Sequence, residues 1–259
     1  MNRIITALDF AEVAKAREFV AQVDPTLTRL KVGSQLFTLG GAAMVEQWQA
    51  DGFDVFLDLK FHDIPNTVAG ALKVASAMGV WMVNVHASGG EAMLNAARDA
   101  VAQYDRSAER GGGTRIIAVT VLTSLDRTQL KSAGLDVEPS EQVERLARLT
   151  RQAGLDGVVC SPNEVGLIRS VAKTNFLTVT PGIRPDKDGD VPVSQITSHG
   201  GAPDDQRRTL TPYDAILGGS DFLVIGRPIT QASSPLDALH ALNAEVQIAA
   251  SQVASNADA

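Results

Sequence analysis

Asp58, Lys60 and Asp63 fall close together in the stretch LDLKFHDIPNT, residues 57–67, at the end of an apolar run that begins at Phe53. Charge in a buried strand is costly unless it is paired. A lysine between carboxylates stays protonated, because unit charges 4 Å apart interact by ~4 kcal/mol at an effective dielectric near 20. Such a lysine is a positioned general acid. The ionised carboxylates beside it would repel an anionic group on a substrate. Two plainer readings stand beside this one: Asp58 and Lys60 suit a structural ion pair, and Asp63, just before Pro65, suits a cap on the first turn of a helix.

Eight short, β-rich apolar runs can carry such residues: RIITALD (3–9), TRLKVG (28–33), FDVFLDLK (53–60), WMVNVHA (81–87), RIIAVTVL (115–122), DGVVCS (156–161), FLTVTPG (176–182) and DFLVIG (221–226). Segments of helical periodicity follow each of them, from Phe10–Val23 to Pro235–Ala250. Strand–helix alternation predicts parallel pairing with right-handed crossovers, and eight units close a barrel. The expectation is an α/β fold, a single-domain (β/α)8 TIM barrel over residues 1–259. About 250 residues is the usual size of that fold. Two stretches break the rhythm, a glycine turn at Gly111–Gly113 and a polar loop at about 185–205. The small, polar tail after Ala250 is expected to fray.

Active sites of such barrels are built from the C-terminal ends of the strands. Apolar residues fill the starts of the runs here and polar residues the ends: Asp9, Lys31, Asp58, Lys60, His86, Thr120, Thr123, Ser161, Thr180 and Arg227. Strand residues two apart share a face, so Asp58 and Lys60 point together into the barrel mouth while Leu57 and Leu59 face the helices. Lys31, on the neighbouring strand, joins them. Loops after the seventh and eighth strands often hold phosphate. In this chain they offer Arg184, Gly226 and Arg227, with Gln206, Arg207 and Arg208 nearby. For Arg207 and Arg208 a solvated basic patch fits equally well.

The four histidines lack metal-ligand spacing, and Cys160 reads as a core residue. No G-x-G-x-x-G or P-loop pattern occurs. Net charge −7 argues against nucleic acid as the main partner. No stretch has the apolar length to span a membrane, the start MNRIITALDF is unlike a signal peptide, and a lone cysteine suits a reducing compartment. A cytoplasmic location is expected.

Taken together, TALDF, LKVGSQLF, DLKFHDIPNTV, VTVLTS, TPGIRP, DQRR, LTPYDAI and VIGRPIT run in order from about Ile4 to Thr230. This set resembles orotidine 5′-phosphate decarboxylase. D-x-K-x-x-D alone is shared with sibling sugar-phosphate enzymes, whereas KFHDIPNT with DQRR and IGRP is more specific. The resemblance implies decarboxylation of orotidine 5′-monophosphate (OMP) to UMP in pyrimidine synthesis, with no metal or organic cofactor. It implies that Lys60 delivers a proton to C6 within an array of Lys31, Asp58, Lys60 and Asp63. Asp63 and Thr67 would reach the partner's site in a homodimer. Asp9 and Lys31 would hold ribose hydroxyls, and Thr123, with Ser124, would lie by the base. Arg184, Gln206, Gly226 and Arg227 would surround the phosphate, with the loop after Arg184 closing over it. The stretch from Pro185 to Asp205 is longer than the resemblance leads one to expect; its extra length either alters that closure or, the favoured reading, hangs in solvent. The rival readings are a sibling barrel that holds an enediolate on Mg²⁺, and a barrel that binds a phosphate ligand without turning it over.

Overall fold

A computed structural model describes residues 2–107, 113–172, 175–185 and 210–257. Eight strands form a closed parallel barrel in sequence order: β1 (Ile4–Ala7), β2 (Arg29–Gly33), β3 (Val55–Phe61), β4 (Met82–His86), β5 (Arg115–Val119), β6 (Gly157–Val159), β7 (Leu177–Thr180) and β8 (Phe222–Ile225). β8 pairs with β1 to close the ring. The strands are shorter than the apolar runs that announced them: most runs continue past the ladder, whereas those of β2 and β3 begin before it and β3 extends one residue past its run, to Phe61.

Ten α-helices are described: α1 (Val13–Val20), α2 (Ser34–Ala50), α3 (Pro65–Ala77), α4 (Glu91–Ser107), α5 (Arg127–Ser132), α6 (Pro139–Gln152), α7 (Val165–Val171), α8 (Pro212–Leu217), α9 (Arg227–Thr230) and α10 (Pro235–Ala257). The strands are buried on both faces, which is why they read as continuous apolar runs. Ile5, Ala7, Phe56, Met82, Ile117, Val179, Phe222 and Val224 fill the barrel interior. Leu30, Val32, Leu57, Val83 and Val85 face outward and pack with helix residues such as Leu36, Val68, Leu72 and Leu94. At the N-terminal end of the barrel, the Arg29 guanidinium lies 4.3 Å from the Trp81 ring centre. Trp81 meets Phe222 edge-on at 5.1 Å. This aromatic and cationic floor closes the end opposite the polar strand termini.

α10 runs through the tail after Ala250 to Ala257. Nothing after Pro235 stops it, since no glycine or proline follows and alanine favours the helix. Tyr213 also donates to Gln252, tying the last turns to α8. The short helix α5 was not foreseen; its start is set by a local capping box between Asp126 and Gln129. Asp63 does not cap α3: the N-cap is Ile64, with no side-chain cap, and Asp63 accepts from the Ile64 N–H at 2.6 Å. Most of the polar 185–205 loop, together with Gly111 and Gly112, lies outside the described residues. The chain on either side of 186–209 is joined by a parallel bridge between Ile183 and Leu210.

Candidate active site

The polar strand ends converge as the barrel closes. Lys31 is the third residue of β2, and Gly33 of β2 lies in register with Asp58 of β3. Lys31 Nζ lies 3.2 Å from Asp9 Oδ1 and 3.3 Å from Asp58 Oδ2. Lys60 Nζ lies 2.6 Å from Asp58 Oδ1. Asp58 thus stands between two ammonium groups, and the Lys31 and Asp58 side chains are only 10% and 11% exposed. Lys60 is 37% exposed and reaches the open mouth.

Burial works against charge at both buried positions, and pairing outweighs it. Burial alone would lower Lys31, but Asp58 and Asp9 together raise its ammonium above the ordinary lysine value. Burial alone would raise Asp58, but Lys31 and Lys60 hold its carboxyl below the ordinary value. Both are therefore charged across the neutral range. This is the preorganised charge that a water-excluding site uses best.

Lys60 reaches its place through an irregularity in the sheet. Leu57 pairs with Val83 and Phe61 with Val85, so β3 carries two extra residues against β4 there. Lys60 lies within this bulge with φ +51°, in the left-handed region. For a residue with a side chain that conformation costs about 1–3 kcal/mol. Strained backbone of this kind persists where the surroundings hold it. Asn84 on β4 contacts this backbone: its Oδ1 accepts from the Lys60 N–H at 2.8 Å. Asn84 Nδ2 also donates to Asp58 Oδ1 at 2.6 Å. Asn84 was absent from the sequence reading. The available signal was its inward parity with Met82 and His86 in an otherwise apolar run.

The array borders a cavity of about 590 Å³. Asp9, Lys31, Asp58, Lys60, Thr123, Arg184, Gly226 and Arg227 all line it, over an apolar base that includes Phe56 and Val224. Arg184 follows β7, which is four strands round the barrel from β3. Arg184 and Lys60 therefore border the cavity from opposite sides of the barrel, whereas Arg227 follows β8, the neighbour of β1, whose end carries Asp9. Gly182 before Arg184 takes φ +79°, a conformation glycine adopts without strain. A Cβ on Gly226 would meet Ala7 Cβ at 3.5 Å, an ordinary contact. The surrounding protein therefore does not demand glycine there.

Two predicted residues stand elsewhere. Asp63 and Thr67 are exposed and do not line the cavity of their own chain. Gln206, with Arg207 and Arg208, lies outside the described residues. His86 is half-buried at the end of β4, with its ring centre 5.4 Å from that of His62. Burial, then His62 and Lys60, push its imidazole below the ordinary value. Cys160 also borders the cavity but is 1% exposed, and burial pushes its thiol well up. Among the described residues, no group of three or more His, Cys, Asp or Glu side chains could hold a metal ion. No described helix is long and apolar enough to cross a membrane.

A family model described as "Orotidine 5'-phosphate decarboxylase / HUMPS family" matches residues 2–242. The chain belongs to this family. The match takes in all eight strands of the barrel and every predicted site residue. Within the orotidine 5′-phosphate decarboxylase / HUMPS family, one similar protein is an orotidine 5′-phosphate decarboxylase from Tolumonas auensis. It is 53% identical over 241 residues, which is 93% of this chain and 97% of that one. Another, from Nitrosospira multiformis, carries the same name and is 51% identical over 95% of this chain and 94% of its own. A crystal structure of orotidine 5′-phosphate decarboxylase from Lactobacillus acidophilus superposes with a TM-score of 0.80 at 33% identity. It covers 95% of this chain and 99% of that one.

Proposed function

We propose that this protein is a carboxy-lyase that converts OMP to UMP in pyrimidine nucleotide synthesis, with its own side chains and no metal or organic cofactor. One observation carries the reading: two lysines and a carboxylate in a continuous chain of contacts, Lys31–Asp58–Lys60, at a cavity that also takes in Arg184 and Arg227. The family supplies the substrate; the relatives described above bear the name of that activity.

The chemistry follows from where charge develops. When the bond between C6 and the carboxylate breaks, CO₂ leaves and the electron pair remains on C6, in the plane of the ring and outside its π-system. A fixed ammonium beside C6 stabilises that charge. Lys60 then gives its proton to C6 and regains one from solvent, so OMP and one proton become UMP and CO₂. Asp58 holds the Lys60 ammonium in position, and Lys31 offsets the charge of Asp58. Asp9 and Lys31 line the same cavity and would hold the ribose hydroxyls, and Thr123 would lie by the base. Arg184, Gly226 and Arg227, with Gln206, would hold the phosphate, since arginine offers paired donors to its oxygens. Binding the remote phosphate can drive ordering at the reacting carbon.

The exposed Asp63 and Thr67 suit a homodimer in which each chain completes its partner's array. The whole chain is taken as one barrel domain working in the cytoplasm.

The test is the loss of OMP absorbance with purified protein in chelator, with UMP identified as product. Conversion supports the reading. Binding without conversion, or turnover of sugar phosphates that requires Mg²⁺, overturns it.

A further inference from the structure

Asn84 is 0% exposed. Its carboxamide makes two contacts with β3: Nδ2 donates to Asp58 Oδ1 at 2.6 Å, and Oδ1 accepts from the Lys60 N–H at 2.8 Å. The first is the same carboxylate oxygen that receives Lys60 Nζ. Turning the amide over would set oxygen against oxygen and N–H against N–H, so only one orientation satisfies both. The bulge between Leu57 and Phe61 explains why a side chain is needed. It places Lys60 at φ +51° against a shifted register, and Asn84 supplies an acceptor for its N–H.

We propose that Asn84 is a positioning residue for the decarboxylation. It locks the Asp58 carboxylate towards Lys60 and holds the left-handed turn that aims Lys60 Nζ at the cavity. The inference rests on Lys60 being the proton donor, as argued above. Aspartate offers the acceptor but no donor while ionised, and leucine has a similar shape with neither. Asp58 and Lys60 of β3 contact Asn84 directly, Lys31 and Asp9 follow through Asp58, and His86, with His62 beside it, lies two residues along the same strand. In the parallel ladder Asn84 lies level with Ile117 of β5, whose interior side chains there, Ile117 and Val119, are apolar.

The experiment compares Asn84→Asp, Asn84→Leu and Lys60→Ala with wild type, measuring kcat against pH, UMP inhibition and folding by circular dichroism. Asn84→Asp places a second carboxylate against Asp58, and such pairs share a proton. At neutral pH both Asn84 variants are expected to lose about 10- to 100-fold in kcat, the cost of a lost hydrogen bond to a charged group. UMP inhibition is expected to stay within about 3-fold of wild type, well below that loss. As pH falls, Asn84→Asp should recover relative to wild type, because the new acid regains a proton to donate to Asp58; Asn84→Leu should not. A purely structural role would lower melting temperature and move kcat and UMP binding together, with no recovery in acid. Either that pattern, or kcat within about 3-fold of wild type, overturns the proposal. If Asn84→Leu does not fold, Asn84→Ser takes its place with the same expectation. If Lys60→Ala keeps wild-type kcat, the proton-donor reading itself falls. If Lys60→Ala is inactive and the Asn84 variants are normal, only this inference falls.

Discussion

Lys60 Nζ stands 2.6 Å from Asp58 Oδ1, and Lys60 makes that contact from backbone in the left-handed region. A lysine at an ordinary strand position would continue the ladder. Here the bulge removes it from the ladder and turns its ammonium to the carboxylate at the cavity rim.

Lys60→Ala is expected to lower kcat by about 10³-fold, within the range for losing a preorganised charge and a general acid. UMP binding should change far less, because Arg184 and Arg227 are untouched. Steady-state rates together with UMP inhibition constants check this, and equal losses in both would contradict it.

The ion-paired array makes stability depend on pH at both extremes. Asp58 has a folded value below its ordinary 3.8, so the stability it contributes is present above that value and is lost as pH falls through the lowered one. Lys31 is raised above its ordinary 10.5, so its contribution is full below that value and is lost as pH rises through the raised one. Asp58→Asn should remove the Asp58 part of the acid slope and destabilise at neutral pH by about 3 kcal/mol, since Lys31 loses a buried partner. Urea midpoints across the pH range, for wild type and variant, read both effects.

Two glycine-to-alanine changes should have opposite signs. A Cβ on Gly157 would sit 2.2 Å from the Leu177 carbonyl oxygen, where β6 and β7 run side by side. Backbone cannot yield cheaply there, so Gly157→Ala should cost about 1–3 kcal/mol. Gly166, on the exposed face of α7, has nothing within 4 Å of the added carbon. Gly166→Ala should stabilise by about 0.5–1 kcal/mol. Thermal or chemical denaturation of the two variants decides.

Cys160 should be inert in the folded protein. Its thiol is buried and held towards its neutral form, and the thiolate is the reactive species. Labelling by a charged thiol reagent should therefore follow the unfolding rate, with full labelling in denaturant. Rapid labelling under native conditions would count against this account.

Much of the molecule was legible along the chain because its signals are local. Alternating apolar runs and helical periodicity call for strands and helices in turn, and eight such units call for a closed barrel. The polar ends of the runs marked Asp9, Lys31, Asp58, Lys60, Thr123 and Arg227, all of which border the cavity. Strand parity put Asp58 and Lys60 on one side, and they are indeed in contact. The parity argument reached that result without the bulge through which Lys60 arrives. What the chain alone did not determine depends on which strands lie beside each other and in what register. The shift between β3 and β4 is a relation between two strands, written in neither run. It decided that Asn84, unremarkable in MVNVH, would hold both Asp58 and the Lys60 backbone. It takes the closed ring to bring the arginines after β7 and β8 to the same cavity as lysines from β2 and β3. Asp63, only five residues from Asp58, ends outside that cavity, because the turn into α3 carries it to the surface.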